Sequence, residues 1–194
     1  MTGGTAAVRV VDADPRDPGL RRRMAELLVE GFREMAPEAW PDLASAAGEV
    51  TEAFAPDRTC RVAVDGDGSV LGWIGALPMY DGNVWELHPL VVDAARRQQG
   101  IGRALVADLE ERAREAGAVT MYLGSDDVAG MTSLGGVDLF PGALERLREI
   151  RSLRGHPFEF YRRCGYEVVG VLPDANGPGK PDIFMAKSLR GRGG

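Results

Sequence analysis

NVWELHPLVVDAARRQQGIGRAL, residues 83–105, is the stretch from which the rest of the chain is read. It opens as a strand in which Trp85, Leu87 and the run Leu90-Val91-Val92 are apolar and Glu86 and His88 alternate with them. Side chains two apart share a strand face, so Glu86, His88 and Leu90 are expected on one side. Pro89 has no N–H to give a ladder and marks an edge, a bulge or a point where neighbouring strands part. After Val92 come two arginines, the glycines Gly100 and Gly102, and then ALVADLEERAREAG, which has the spacing of an amphipathic helix. The N–H groups of a first helical turn lack internal partners, and the dipole puts about +0.5 charge there. A strand, a glycine-containing loop and a helix in this order suit a phosphate group.

Upstream, Ala6–Val11 reads as a strand, and DPGLRRRMAELLVEGFREM as a helix with Leu20, Met24, Leu27, Leu28 and Phe32 on one stripe. Pro37, Trp40 and Pro41 interrupt it before a weaker helical pattern from Asp42 to Phe54. Cys60–Val64 and Ser69–Leu77 are expected strands joined by Asp65-Gly66-Asp67-Gly68, a strong hairpin signal. Downstream, the helix from Ile101 to Ala116 carries Ile101, Leu105, Leu109 and Ala113 inward. Its pairs Asp108/Arg112 and Glu110/Arg114 are expected on the outer surface, and Gly117 suits a C-cap. Ala118–Leu123 is a strand ended by Gly124-Ser125-Asp126-Asp127, and a long polar loop follows to Phe140. A charged helix opens at Pro141-Gly142 and reaches about Leu153; a short aromatic helix from Pro157 stops at Gly165. Tyr166–Leu172 and Ile183–Leu189 are the last strands, and residues 190–194 form a tail. The expectation is one α/β domain over residues 1–194, with a mixed central sheet of about seven strands flanked by helices.

Composition narrows the function classes. The chain of 194 residues is 44% hydrophobic and 27% charged, ordinary for a globular domain. No secretion signal or membrane-length apolar run is visible, so a cytoplasmic protein is expected. The net charge of −6 argues against general nucleic-acid binding and is compatible with a cationic substrate. Two distant cysteines and two histidines lack metal-ligand spacing, so no metal is expected.

Three glycine loops compete for residues 97–102. A P-loop needs Lys-Ser/Thr after its last glycine, whereas Arg103-Ala104 follow Gly102. A dinucleotide fingerprint needs a third glycine where Leu105 stands. The remaining match is Arg97-Gln98-Gln99-Gly100-Ile101-Gly102, which resembles the acetyl-CoA loop of the GNAT (GCN5-related) N-acetyltransferases. The strand and helix order, the proline-disturbed strand and the Phe-Tyr-x-x-x-Gly-Tyr segment at 160–166 suit the same fold. WELHPLVV at 85–92, YLGSDD at 122–127, HPFEFYRRCGY at 156–166 and GKPDIFMAK at 179–187 together are similar to the aminoglycoside 6′-N-acetyltransferases, in particular the subgroup of the chromosomal enterococcal enzyme. The likeness implies acetyl-CoA as cosubstrate, an aminoglycoside as acceptor and a homodimer.

Acetyl transfer from a thioester to an amine needs a deprotonated amine, a stabilised oxyanion and a protonated leaving thiolate. Glu86 is the candidate base, direct or through a water, as the resemblance also implies; the same carboxylate could instead anchor the acceptor's ammonium. Backbone N–H groups near Leu90, Val91 and Val92, freed by Pro89, are candidates to bind the cosubstrate and polarise its carbonyl. Tyr161 is the candidate acid for the thiolate, since a phenol near 10 lies above a thiol near 8.5. The coenzyme's phosphates are expected on Arg96, Arg97 and Arg103 and on the backbone from Gln98 through Gln99, Gly100, Ile101 and Gly102 to Ala104. For a polycationic acceptor the candidate walls are Trp40, Tyr80, Glu86, Asp126, Asp127, Asp138 and Asp182. Two alternatives stay open: another amine acceptor (a polyamine, a small amine or a protein N-terminus) on the same fold, or a coenzyme- or drug-binding module without turnover.

Overall fold

The computed structural model describes residues 8–191, so Ala6, Ala7 and residues 192–194 of the expected first strand and tail lie outside it. Seven strands form one sheet: β1 (Arg9–Asp12), β2 (Thr59–Val64), β3 (Val70–Met79), β4 (Val84–Val92), β5 (Thr120–Asp126), β6 (Glu167–Leu172) and β7 (Asp182–Ser188), in the spatial order β1-β2-β3-β4-β5-β7-β6. Every neighbouring pair is antiparallel except β4 and β5. Helices α1 (Pro18–Phe32) and α2 (Leu43–Ala53) cover one face; α3 (Ile101–Glu115) and α5 (Phe158–Arg163) cover the other, and α4 (Ala143–Arg148) packs near β6.

Local chemistry explains the helix ends. Asp17 caps α1 by accepting from the N–H groups of Gly19 and Leu20, and Pro18 occupies the first turn, where no internal donor is needed. Asp42 and Ser45 form a capping box that restarts the helix after the prolines. His156 does comparable work for the short α5. Its Nδ1 accepts from the Phe158 N–H at 3.2 Å, which leaves Nε2 to donate to the Asp126 carbonyl at 3.1 Å. The neutral ring is consistent with burial, which pulls the His156 pKa down.

The two sheet faces carry separate cores. Met24, Leu27 and Leu28 of α1 pack with Val50 of α2 and Trp73 of β3, whose indole donates to the Met24 carbonyl at 3.1 Å. Ile101, Leu105 and Leu109 of α3 pack with Met121, Leu123, Ile183 and Met185. Arg61 joins the layers: buried in β2, it donates to both oxygens of Asp108 on α3 at 2.7 and 3.0 Å and also meets Asp12.

Several expectations are corrected. Asp108 turns to Arg61 instead of pairing with Arg112, whereas Glu110 does pair with Arg114 at 3.4 Å but is buried and shared with Lys187, not on the outer surface. The charged helix after Pro141 stops at Arg148, because residues 149–153 run back along the 131–133 segment, with Ser133 N–H donating to the Arg151 carbonyl and a bridge from Thr132 to Ser152. β5 continues three residues past Leu123, through Gly124 and Ser125 to Asp126, because β7 pairs with it along that whole length.

The decisive irregularity lies in β4. Ile74 faces Leu90 and Ala76 faces Leu87, so His88 and Pro89 together oppose the single residue Gly75. This is a β-bulge of one residue on β4, and the His88–Pro89 peptide is cis. It moves the alternation by one position. Trp85, Leu87, Leu90 and Val92 all face the α3 core, whereas Val91 packs with α1 and α2. Leu90 therefore does not share a face with Glu86 and His88, contrary to uninterrupted alternation. Gly75 accommodates the bulge, since a Cβ there would stand 2.5 Å from the His88 carbonyl oxygen. Gly75→Ala is expected to cost about 1–3 kcal/mol of stability in denaturant titration; an unchanged midpoint would show that the bulge relaxes freely.

Candidate active site

β4 and β5 pair only over Val84–Thr120, Trp85–Met121 and Glu86–Tyr122. Beyond Glu86 they separate: β4 continues to Val92 against β3 alone, and β5 continues to Asp126 against β7 alone. The edge of β4 from Leu87 to Val92 thus has no strand partner on its β5 side. Parallel strands that part in this way leave backbone donors and acceptors for a ligand to satisfy.

Below the opening, α3 begins at Ile101 with Gly100 in the left-handed region (φ +84°) as N-cap and no side chain capping it. The N–H groups of Ile101, Gly102 and Arg103 have no capping side chain, and Arg96, Gln98, Gln99, Gly100, Arg103 and Ala104 are exposed around them. Gln98 also has positive φ (+63°), so the loop folds back on itself before the helix. Gly102 lies under Phe160, where a Cβ would come within 3.2 Å of the ring. These features fit a diphosphate held by amides and the helix dipole. Arg97 is the exception. Its guanidinium donates to the Gly31 carbonyl at 3.2 Å near the end of α1, so its side chain fastens the loop to that helix.

On the α2 side of the opening, side chains alternate along three strands to build an acidic wall. Glu86 is half-buried on β4 and pairs with Tyr122 of β5; the Tyr122 ring packs tilted against Phe184 of β7, 5.7 Å between centroids. Asp182 lies over Gly124, where a Cβ would stand 2.6 Å from its carboxylate, so the glycine makes room for the acid. Asp126 closes the row, held by a hydrogen bond from Asn176. Burial first, then the Asp126 and Glu86 charges, push the Asp182 pKa up to about 6. One of its oxygens is buried without a partner.

The region before α2 supplies the opposite wall. Trp40 packs edge-on against Phe32 at 4.6 Å and lies 6.1 Å from the His88 ring. Glu49 of α2 approaches His88 Nε2 at 3.6 Å; this contact raises the His88 pKa and lowers that of Glu49. The pair's stabilisation is held between the two pKa values: it fades as pH rises through the raised histidine pKa and as pH falls through the lowered carboxylate pKa. Tyr80 stands exposed in the turn before β4.

Two proposed acids are engaged by local hydrogen bonds. Asp127 is 1% exposed and accepts from the Thr132 N–H at 2.9 Å, the Thr132 hydroxyl at 2.7 Å and the Met131 N–H. It organises the 127–135 loop, a job set by contacts four and five residues along the chain. Asp138 is exposed and accepts from the Phe140 N–H at 2.9 Å, a local turn bond. Tyr161 sits on the other sheet face, buried beside Phe160 and Tyr166 in the α3 core, and burial pushes its phenol pKa up.

Residues 21–132 match the family model described as acetyltransferase (GNAT) family. The chain belongs to this family. Among solved structures, an aminoglycoside 6′-N-acetyltransferase complexed with coenzyme A is 41% identical, covering 96% of this chain and 99% of that one, with a TM-score of 0.86. The aminoglycoside 6′-N-acetyltransferase from Enterococcus faecium is 42% identical, covering 96% and 99%, with a TM-score of 0.83. A third, an aminoglycoside 6′-acetyltransferase type Ii, is 37% identical over 95% and 99%, with a TM-score of 0.71. No curated protein matches the chain. Among the described residues, no helix is long and apolar enough to cross a membrane.

Sequence reasoning missed four residues of this acetyltransferase's acidic face: Glu49, Tyr122, Phe184 and Asn176. Tyr122 and Phe184 were visible in the strand motifs as alternate positions facing the side opposite Leu123 and Met185. Glu49 and Asn176 carried no local signal.

The raised Asp182 pKa has a thermodynamic consequence. The unfolded carboxyl titrates near 3.9, so the folded state holds the proton more tightly, and stability is lost as pH rises from about 4 through about 6. Asp182→Asn is expected to remove that loss and to stabilise the protein at pH 7.5 by about 1–2 kcal/mol after allowance for solvent screening. Melting curves at pH 4 and 7.5 that move in parallel with wild type would contradict this.

Proposed function

We propose that this acetyltransferase carries acetyl from acetyl-CoA to the 6′-amino group of an aminoglycoside, directly and without an acyl-enzyme. The observation that carries the reading is the row Glu86, Asp126 and Asp182 on one face at the parting of β4 and β5. One charge pair at 4 Å is worth about 1 kcal/mol in water and about 4 kcal/mol at an effective dielectric of 20. Two half-buried carboxylates and an exposed third therefore select a polycation over a neutral sugar. The solved aminoglycoside enzymes of similar sequence support the same acceptor class.

When bound, acetyl-CoA supplies the activated acyl group. The chain's own residues would do the rest. The amides from Gln98 to Ala104, with Arg96 and Arg103, would hold the phosphates. The free edge at Leu90, Val91 and Val92 would bind the arm that carries the thioester, and an N–H there would meet the developing oxyanion. Glu86 would receive the acceptor's ammonium and take its proton, directly or through a water. Asp126 and Asp182 would hold further ammonium groups, with Trp40 and Tyr80 beside the sugar rings. Tyr161, kept protonated by burial, would return a proton to the leaving thiolate. Cys60 and Cys164 are poor acyl carriers, because burial pushes both thiols up, Cys60 to about 12.

Purified protein with acetyl-CoA and kanamycin or tobramycin is expected to release free thiol; silence across a panel of 6′-amino drugs would reject the acceptor class. Glu86→Gln and Tyr161→Phe are each expected to lower turnover by roughly 10²-fold or more while the thermal melt stays intact. Wild-type rates in both variants would remove the two roles and leave the fold.

A further inference from the structure

Helix α5 carries Tyr161 but is too short to place itself. Its six residues make fewer than two turns, below the length at which a helix holds together alone, so its position is set by what it touches. At its far end Lys187 Nζ donates to the Cys164 carbonyl at 2.7 Å. At its start the polar ties converge on His156, whose ring is 1% exposed. Nδ1 accepts from the Phe158 N–H at 3.2 Å, Nε2 donates to the Asp126 carbonyl at 3.1 Å, and the main-chain N–H of His156 donates to Ser152 Oγ at 2.9 Å. Tyr161 follows one turn after Phe158, and its neighbour Phe160 lies against Gly102 in the first turn of α3.

The partner across the ring gives this contact its reach. Asp126 is the last residue of β5; its carboxylate stands in the acidic row, held by Asn176, while its carbonyl holds His156. One residue thus borders the cleft with its side chain and receives α5 with its backbone. Both bonds need a neutral ring protonated at Nε2, because a proton on Nδ1 would face the Phe158 N–H. Burial keeps the ring neutral against the pull of the Asp126 and Asp127 carboxylates. Acetyl transfer needs the acceptor amine and the acid for the leaving thiolate in register across the sheet, where an error of about 1 Å costs on the order of 10²-fold in rate.

We propose that His156 is a positioning residue for acetyl transfer: its hydrogen bond to the Asp126 carbonyl sets α5, and with it Tyr161, against the acidic wall. The assignment rests on the acetyl-transfer reading above, with Tyr161 as the acid.

Two substitutions separate the two bonds of the ring. Asparagine can place its amide oxygen where Nδ1 receives the Phe158 N–H but is too short for the Asp126 carbonyl, which glutamine reaches. His156→Asn is expected to lower kcat at least about ten-fold while KM for acetyl-CoA stays within about two-fold, and His156→Gln to recover part of the loss. In the Tyr161→Phe background His156→Asn should change kcat by less than about two-fold, since the group it positions is gone. Wild-type kcat in His156→Asn, no recovery by His156→Gln, or the same fold-loss with and without the Tyr161 hydroxyl would overturn the proposal, while thiol release by wild type leaves the enzymatic reading standing. The chain has two histidines, so ¹⁵N NMR of the unaltered protein, with ring signals assigned through His88→Gln, reads the tautomer whatever the variants do to folding. Nε2 is expected to carry the proton and Nδ1 to be bare at neutral pH; a charged ring or an Nδ1–H tautomer would overturn the proposal. Wild-type protein that releases no thiol with any acceptor would overturn the two readings together.

Discussion

One extra residue in β4 governs the molecule. His88 and Pro89 occupy the space opposite Gly75, and a sheet cannot absorb an added residue without bending or changing which face its side chains serve. Here both happen. Upstream of the bulge β4 pairs with β5; downstream the two strands diverge, and Leu90 and Val92 turn to the α3 core. The unpaired edge costs stability unless something satisfies it, so the opening is maintained by rigid surroundings. Those are the Gly75 contact, the β3 ladder that resumes from Leu90 to Val92, and α3 packed beneath through Ile101 and Leu105.

The acids exploit what the opening offers. A carboxylate in an unbroken two-faced sheet would be sealed under helices, at several kcal/mol of desolvation. At the parting, Glu86, Asp126 and Asp182 keep partial access to water, while the first two lie close enough to Asp182 to raise its pKa. Such mutual repulsion is unfavourable in the empty protein and is relieved by a cation, which is how a binding surface comes to prefer a multiply charged amine. The buried Glu110 is treated differently, being neutralised by Lys187 and Arg114 inside the fold. The same residue type thus serves as a binding group where it has no partner and as a tie between α3 and β7 where it has one.

Much of the architecture was legible in residue order. The amphipathic stripe of α3, the weaker helical pattern from Asp42, the Asp-Gly hairpin and the aromatic α5 are local signals, and each element formed close to where its pattern lay. The glycine loop was legible for the same reason, since an uncapped helix start is written in a few neighbouring residues. Side-chain destinations were less so. Asp126 and Asp127 are adjacent and chemically alike, yet one borders the cleft and the other is consumed by Thr132 and Met131. Strand alternation sends neighbours to opposite faces, but which face is which depends on what packs there.

By itself, the sequence determined the elements, their order, the phosphate-suited turn and the positions where chemistry could occur, because these follow from periodicity, capping and missing donors over short spans. Only the tertiary structure decided that Leu90 leaves the face of Glu86, that Glu49 reaches His88 from α2, that Glu110 is inside, and that Arg163 is brought beside Arg103. Those outcomes depend on strand register and on the docking of segments up to 77 residues apart along the chain, from Glu110 to Lys187. A one-residue bulge reverses every side chain beyond it while changing nothing in the local pattern.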